Sequence, residues 1–246
     1  KFNTEMKKLK VDKYLAVGTE AIRKAVNADE VLKRIALETG IKLEILDHKS
    51  EAQIYFQSVS KDFPGKTIAV SDIGGGSVQV VIGKDKQIFE THLFKTGTYF
   101  MQENFSKTHH PTKEELKKAI NYVKQELKPL KKTKCSAELL VYGSTNIIDF
   151  FRAMNVDLSA DEKFKDHRFW TEIKCLQPVY EKIVALSYED RMPMYPAEPY
   201  YMWAADKALM NVFQISQYLK VEKIVPSNNN ISSGILYSLA EKVWKK

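Results

Sequence analysis

The fold turns on one stretch, Val70-Ser71-Asp72-Ile73-Gly74-Gly75-Gly76-Ser77-Val78-Gln79-Val80. Residues 67–70 before it read as a short buried strand rich in β-branched side chains, and residues 78–82 after it read as a second. Between them stand an aspartate, three glycines and a serine. Glycine loses more backbone freedom on ordering than any other residue, so three in a row suit a sharp turn that something approaches closely. Bare amides in such a turn can cradle a phosphate, and the neighbouring carboxylate can hold a metal ion or a water. A tight hairpin with surplus glycines is the plainer reading of the same residues.

Downstream, the turn Gly83-Lys84-Asp85-Lys86 and a third strand over 87–94 complete an antiparallel meander. Thr112-Lys113-Glu114-Glu115 reads as a capping box, opening a helix that runs to about Lys128 and stops at Pro129. A strand over 137–142 leads through Gly143-Ser144-Thr145-Asn146 into a short helix, and residues 155–170 read as irregular and polar. Helices over 171–187 and 200–219 flank a proline-rich segment; a last strand (222–225), a polar turn (226–230) and a helix (231–244) complete the chain. Upstream, Lys61-Asp62-Phe63-Pro64-Gly65-Lys66 carries Pro-Gly punctuation and is the expected domain boundary, giving domains 1–65 and 66–246. Before it come a strand near 13–17, a helix over 19–38 closed by Gly40, a strand over 42–46 and a helix over 50–59. The 19–38 helix is capped by Thr19, or breaks at residues 27–29.

With 246 residues, 44% apolar and 28% charged, the chain has the composition of an ordinary soluble globular protein of one large or two modest domains. No apolar run approaches the roughly 20 residues needed to span a bilayer, and Lys1-Phe2-Asn3-Thr4-Glu5 has no signal-peptide core, so no membrane partner is expected. Two distant cysteines, Cys135 and Cys175, fit free thiols in a reducing cytoplasm. A net charge of +7 attracts polyanions in general without choosing among nucleic acid, polyphosphate and nucleotide.

Two phosphate motifs fail at the glycine turn. A P-loop needs Lys-Ser/Thr and a helix after its glycines, and a dinucleotide fingerprint needs a glycine where Gln79 stands. The segment after this turn reads instead as a strand, the arrangement by which the actin, hexokinase and Hsp70 superfamily grips phosphates. Asp72-Ile73-Gly74-Gly75-Gly76-Ser77 then resembles the DIGGGS signature of the exopolyphosphatase and guanosine pentaphosphate phosphatase family (Ppx/GppA). Other segments are similar in order and spacing: Ala16 to Asn27 to the family's A-x-R-x-A-x-N helix entry, and Ile45 to Ala52 to I-S-G-x-E-E-A. Tyr142-Gly143-Ser144-Thr145 falls where the family has G-x-G-G-T, and Val225 to Leu236 where it has V-S-D-x-G-L-R-E-G-I-L.

The resemblance implies an α/β fold of two ribonuclease-H-like (actin-like ATPase) domains with mixed sheets flanked by helices, the first domain incomplete. It implies Glu51 as general base, Asp72 as ligand to Mg²⁺ or water, and Gly74, Gly75, Gly76, Ser77, Gly143, Ser144 and Thr145 as phosphate-binding. Arg23 either joins the phosphate site or makes a surface ion pair. The implied partner is polyphosphate or a guanine nucleotide, with no nucleic acid; family members usually pair, although no apolar stripe here marks a homodimer.

Departures from the family pattern are part of the reading. Its first phosphate loop, D-x-G-S-N-S, has no counterpart, as in a fragment or in a chain lacking half of its phosphate clamp. Ser144 replaces a glycine, Asp47-His48 and Ser50 flank Glu51 with other residues, and Ser227 to Gly234 loses an Asp, an Arg and a Glu. The expected function is hydrolysis of polyphosphate or guanosine pentaphosphate, with a non-catalytic sensor of the same ligands as the rival. An ATP-dependent kinase or ATPase is disfavoured because Asn228-Asn229-Asn230 offers no glycine-rich adenosine pocket. The lysine-rich 128–134 reads as a solvated loop, Tyr200, Tyr201 and Trp203 as packing, and the His109-His110 pair as lacking the further ligands of a metal site.

Overall fold

A computed structural model describes residues 2–106, 110–164 and 166–244, so His109 of the histidine pair lies outside the described residues. The chain divides into two compact units, Lys1–Glu51 and Ala52–Lys246. The first holds α1 (Phe2–Lys8), β1 (Ala16–Gly18), α2 (Glu20–Arg23), α3 (Ala28–Thr39) and β2 (Leu43–Ile45), and ends in the first turn of α4 (His48–Ser60). β1 and β2 pair in parallel, Ala16 opposite Leu43, so α2 and α3 form the crossover of a βαβ unit. The helical pattern over 19–38 breaks between α2 and α3. Gly40, at φ +72°, closes α3 in the left-handed conformation and donates its amide to Ala36.

The second unit is built on one seven-stranded sheet: β3 (Thr67–Ile73), β4 (Val78–Lys84), β5 (Gln87–Phe94), β6 (Leu139–Gly143), β7 (Ser159–Ala160), β8 (Phe169–Glu172) and β9 (Lys223–Ser227). Their order is β5-β4-β3-β6-β9-β8-β7. The first three form the expected meander, β6 and β9 run parallel to β3, and β8 returns antiparallel to β9. The sheet is therefore mixed, with a parallel core of β3, β6 and β9. The 155–170 segment, expected to be irregular, contributes β7 and leads into β8 at the far edge. Neither is long enough to show an alternating pattern.

Strand alternation fills both faces of this sheet. Ala69, Val80, Ile82, Leu140 and Ile224 point to one side, where α5 (Thr98–Phe105), α6 (Lys113–Glu126), α7 (Ile147–Ala153), α8 (Gln177–Ala185) and α10 (Tyr201–Leu219) supply the larger core. Ile68, Val70, Val81, Val141 and Val225 point to the other and meet Ala52, Tyr55, Phe56 and Val59 of α4 and the nearby Phe63. That packing explains why the units divide within α4 and not at the expected Pro64–Gly65 loop: the rest of α4 and Phe63 are core of the second unit. The remaining helices are α9 (Tyr188–Arg191) and α11 (Ile231–Trp244). The Thr112 and Glu115 capping box of α6 is formed in both directions. Among the described residues no helix is long and apolar enough to cross a membrane.

Candidate functional site

Three parallel strands end side by side. In register, Asp72 of β3 lies opposite Gly143 of β6, and Gly143 opposite Ser227 of β9. The turns that leave these strands, 74–77, 144–146 and 228–230, therefore share the carboxyl edge of the sheet, where ligands bind in open α/β folds.

The glycine turn is held from behind by α5. Thr98 donates its amide to the Gly74 carbonyl at 2.9 Å, and Tyr99 and Phe100 donate theirs to Gly75 at 2.9 and 3.1 Å. Gly74 closes the turn by donating to the Ser77 carbonyl at 3.0 Å. In a trans peptide the N–H points opposite to the C=O, and no cis bond occurs here. With the Gly74 and Gly75 carbonyls facing α5, the amides of Gly75 and Gly76 face away from it, on an exposed turn. Two adjacent outward amides are an anion-binding concavity in the making.

A residue that sequence reasoning missed sets this arrangement. A Cβ on Gly97, at the start of α5, would stand 2.4 Å from the Gly75 carbonyl oxygen, the Gly76 carbonyl carbon and the Ser77 nitrogen. Only glycine lets α5 lie this close. Asn211 of α10 fixes the preceding residue, donating to the Thr96 carbonyl at 2.9 Å. The one available signal was the Thr96-Gly97-Thr98 sequence before a helix, whose meaning lies in contacts distant along the chain.

Around the second turn the picture differs from the expected one. A Cβ on Gly143 would fall 1.3 Å from the Tyr55 hydroxyl, so the space that its missing side chain leaves is filled by α4. The Ser144 amide donates to the Ser227 carbonyl at 3.1 Å, and Thr145 is exposed. Burial pushes the Tyr55 phenol well above its ordinary value, and the charge of nearby Asp72 adds to the shift. Tyr142 is raised by burial in the same way, with Tyr201 contributing.

In the first unit, Arg23 and Glu51 come together. Arg23 Nη2 stands 3.3 Å from Glu51 Oε2 and 3.0 Å from His48 Nδ1, and Nη1 donates to the Leu46 carbonyl. Both side chains of the pair are largely buried, at 19% and 13% exposure, so this is not the surface ion pair of the sequence alternative. Among the described residues no three His, Cys, Asp or Glu side chains gather as a metal cage. Magnesium commonly takes one or two carboxylates and completes its shell with water and substrate phosphate, a pattern that the single Asp72 fits.

The profile of the Ppx/GppA phosphatase family matches residues 1–199. The chain belongs to that family. Within it, the chain is 30% identical over 131 residues to a guanosine-5'-triphosphate,3'-diphosphate pyrophosphatase of Photobacterium profundum, covering 52% of this chain and 26% of that protein. It is 38% identical over 76 residues to exopolyphosphatase 1 of Mycobacterium leprae, covering 30% and 22%. The chain thus spans about a quarter of the length of these curated relatives. Two solved structures share its fold: an exopolyphosphatase from Cytophaga hutchinsonii (TM-score 0.86, 21% identity, 98% of this chain and 79% of that one) and the Aquifex aeolicus Ppx/GppA family member (TM-score 0.80, 24%, 98% and 78%). The Ppx/GppA match ends before β9, so the third strand of the site row is placed by the fold alone.

Proposed function

We propose that this protein is a phosphoanhydride hydrolase that releases orthophosphate from inorganic polyphosphate, guanosine pentaphosphate or both. Family membership and the outward amides of Gly75 and Gly76 support the reading; the amides carry it. Among the described residues nothing asks for glycine at 75: a Cβ there would meet Tyr99 Cβ at an ordinary 3.5 Å, and its φ is not positive. An incoming phosphate is the remaining reason for a bare backbone.

In this reading the amides of Gly75 and Gly76 and the Ser77 side chain hold the phosphate oxygens, whereas the Gly74 amide, expected to join them, is used to close the turn; Ser144 and Thr145 border the phosphate, and Asp72 would hold Mg²⁺, which supplies charge neutralisation on the phosphates. Glu51 takes the proton of a water whose oxygen attacks the terminal phosphorus. The bridging P–O bond breaks, and orthophosphate leaves with the shortened anhydride. Arg23, 3.3 Å away, orients the Glu51 carboxylate toward that water. Phosphoryl transfer needs positioning and neutralisation more than covalent chemistry, which suits a site made of backbone amides. The first unit is read as part of a further ribonuclease-H-like domain.

One observation favours a second reading, a sensor that binds the same polyanions without turnover. The three asparagines that stand where the family has D-x-G hold neighbours: Asn228 accepts from the Ile148 amide (3.2 Å), Asn229 donates to the Ser58 carbonyl (3.1 Å) and Asn230 accepts from the Ser233 amide (3.1 Å). Phosphate release from both substrates in the presence of Mg²⁺ separates the two. Release supports the hydrolase, and calorimetric binding without release supports the sensor.

A further inference from the structure

Asp62, His167 and Ser227 come from three separate stretches of the second unit: the turn after α4, the loop before β8 and the end of β9. Asp62 Oδ2 lies 2.8 Å from His167 Nδ1, and His167 Nε2 lies 2.7 Å from Ser227 Oγ. The Asp166 amide donates to the same Asp62 oxygen at 2.9 Å, and the Asn229 amide donates to Ser227 Oγ at 3.2 Å. An ionised carboxylate only accepts, so it keeps a proton on Nδ1 and leaves Nε2 to accept from the Ser227 hydroxyl. Burial works to raise the Asp62 carboxyl, but the hydrogen bonds from His167 and the Asp166 amide, with the nearby Lys61 charge, hold it below the usual range. Every donor in the chain from Asn229 to Asp62 then has its acceptor.

Aspartate, histidine and serine in this order form the relay that activates a serine nucleophile. Burial rules that use out here, because Ser227 is 0% and His167 2% exposed, and no substrate atom can reach Oγ. Ser227 connects onward through its hydrogen bonds to two turns. Its carbonyl accepts the Ser144 amide at 3.1 Å, beside Gly143 and one strand from Asp72, while its hydroxyl fixes the amide of Asn229.

We propose that His167, oriented by Asp62, is a positioning residue. Through Ser227 it fixes the 144–145 turn and the 228–230 turn at the edge where phosphate is held. The inference rests on the proposed hydrolase reading for its consequence in catalysis, but its geometry can be tested apart from it. Asp62→Asn and Ser227→Ala each keep the size of the side chain nearly unchanged. In the wild-type chain, imidazole nitrogen NMR is expected to show His167 protonated at Nδ1 and accepting at Nε2. Both variants are expected to shift the Ser144 and Asn229 amide resonances and to lower kcat/KM for phosphate release about tenfold or more, as loss of outer-shell partners does. The double variant is expected to lose little more than either single one, because both cut the same chain.

Unmoved Ser144 and Asn229 resonances would overturn the proposal, as would an unchanged kcat/KM with only the melting temperature lowered. If the wild-type chain releases no phosphate, the hydrolase reading falls on its own. The relay is then decided by those amide shifts and by calorimetry with inorganic tripolyphosphate, where an affinity unchanged by Ser227→Ala would refute it.

Discussion

Glycine serves different ends at Gly75, Gly97 and Gly143, and substitution separates them. At Gly143 an added Cβ runs into the buried Tyr55 hydroxyl, and at Gly97 into three backbone atoms of the glycine turn. Gly143→Ala is expected to cost about 1–3 kcal/mol or more through overpacking. At Gly75 the Cβ has room, so Gly75→Ala is expected to keep the wild-type melting temperature and lose affinity for tripolyphosphate. Calorimetry and thermal unfolding on the two variants check the contrast; a Gly75→Ala chain that binds as tightly as wild type would remove the main support for the phosphate turn. The sequence made the 74–76 turn legible because three glycines beside an aspartate are a local signal. Gly97 and Tyr55 were not legible, because each takes its meaning from a partner far along the chain. The Arg23–Glu51 pair lay between: both residues were singled out, but only the fold brings them to 3.3 Å.

At the scale of elements, the strands next to the turn and the capped helix α6 are direct consequences of β-branched runs, turn residues and the capping box. The losses were short or long-range. β7 and β8 have two and four residues and exist through pairing in the sheet. Within α10 the sequence pattern marks a packed helix, yet Asp206, Lys207 and Asn211 are also buried. Asp206 sits 2.7 Å from Lys207 Nζ and 3.3 Å from Arg191 Nη1, with all three side chains nearly inaccessible. Burial depresses the Lys207 ammonium, and the Asp206 charge opposes that shift. Removing Asp206 takes away an anion that both buried cations face, so Asp206→Ala is expected to destabilise the fold by about 3–5 kcal/mol. Urea unfolding measures it, and a loss below about 1 kcal/mol would mean that the cluster is solvated or otherwise compensated.

For the whole molecule, the membership in the Ppx/GppA family was legible from one six-residue motif and several weaker ones in order. The partition into units was not, because α4 belongs to both: its first turn carries Glu51, and its remainder packs under the sheet of the second unit. The buried phenols of Tyr55 and Tyr142 make a prediction at this scale. Their folded values lie well above the ordinary one, so the neutral form is favoured on folding. That contribution is complete below the unfolded tyrosine value of about 10 and is lost as pH rises from there toward the folded values. Denaturant midpoints are therefore expected to fall above about pH 10, and Tyr55→Phe to flatten the fall. A slope unchanged in Tyr55→Phe would assign the alkaline loss to other groups.

In the proposed reaction the role of Glu51 is to activate the attacking water. Its most direct measurement is the rate of orthophosphate release from polyphosphate and guanosine pentaphosphate with Mg²⁺, wild type against Glu51→Gln, alongside tripolyphosphate affinity. The expected result is measurable release by the wild type, a fall of about 100-fold or more in kcat for Glu51→Gln, and unchanged affinity. Equal rates for the two chains, or no release by the wild type, would contradict it.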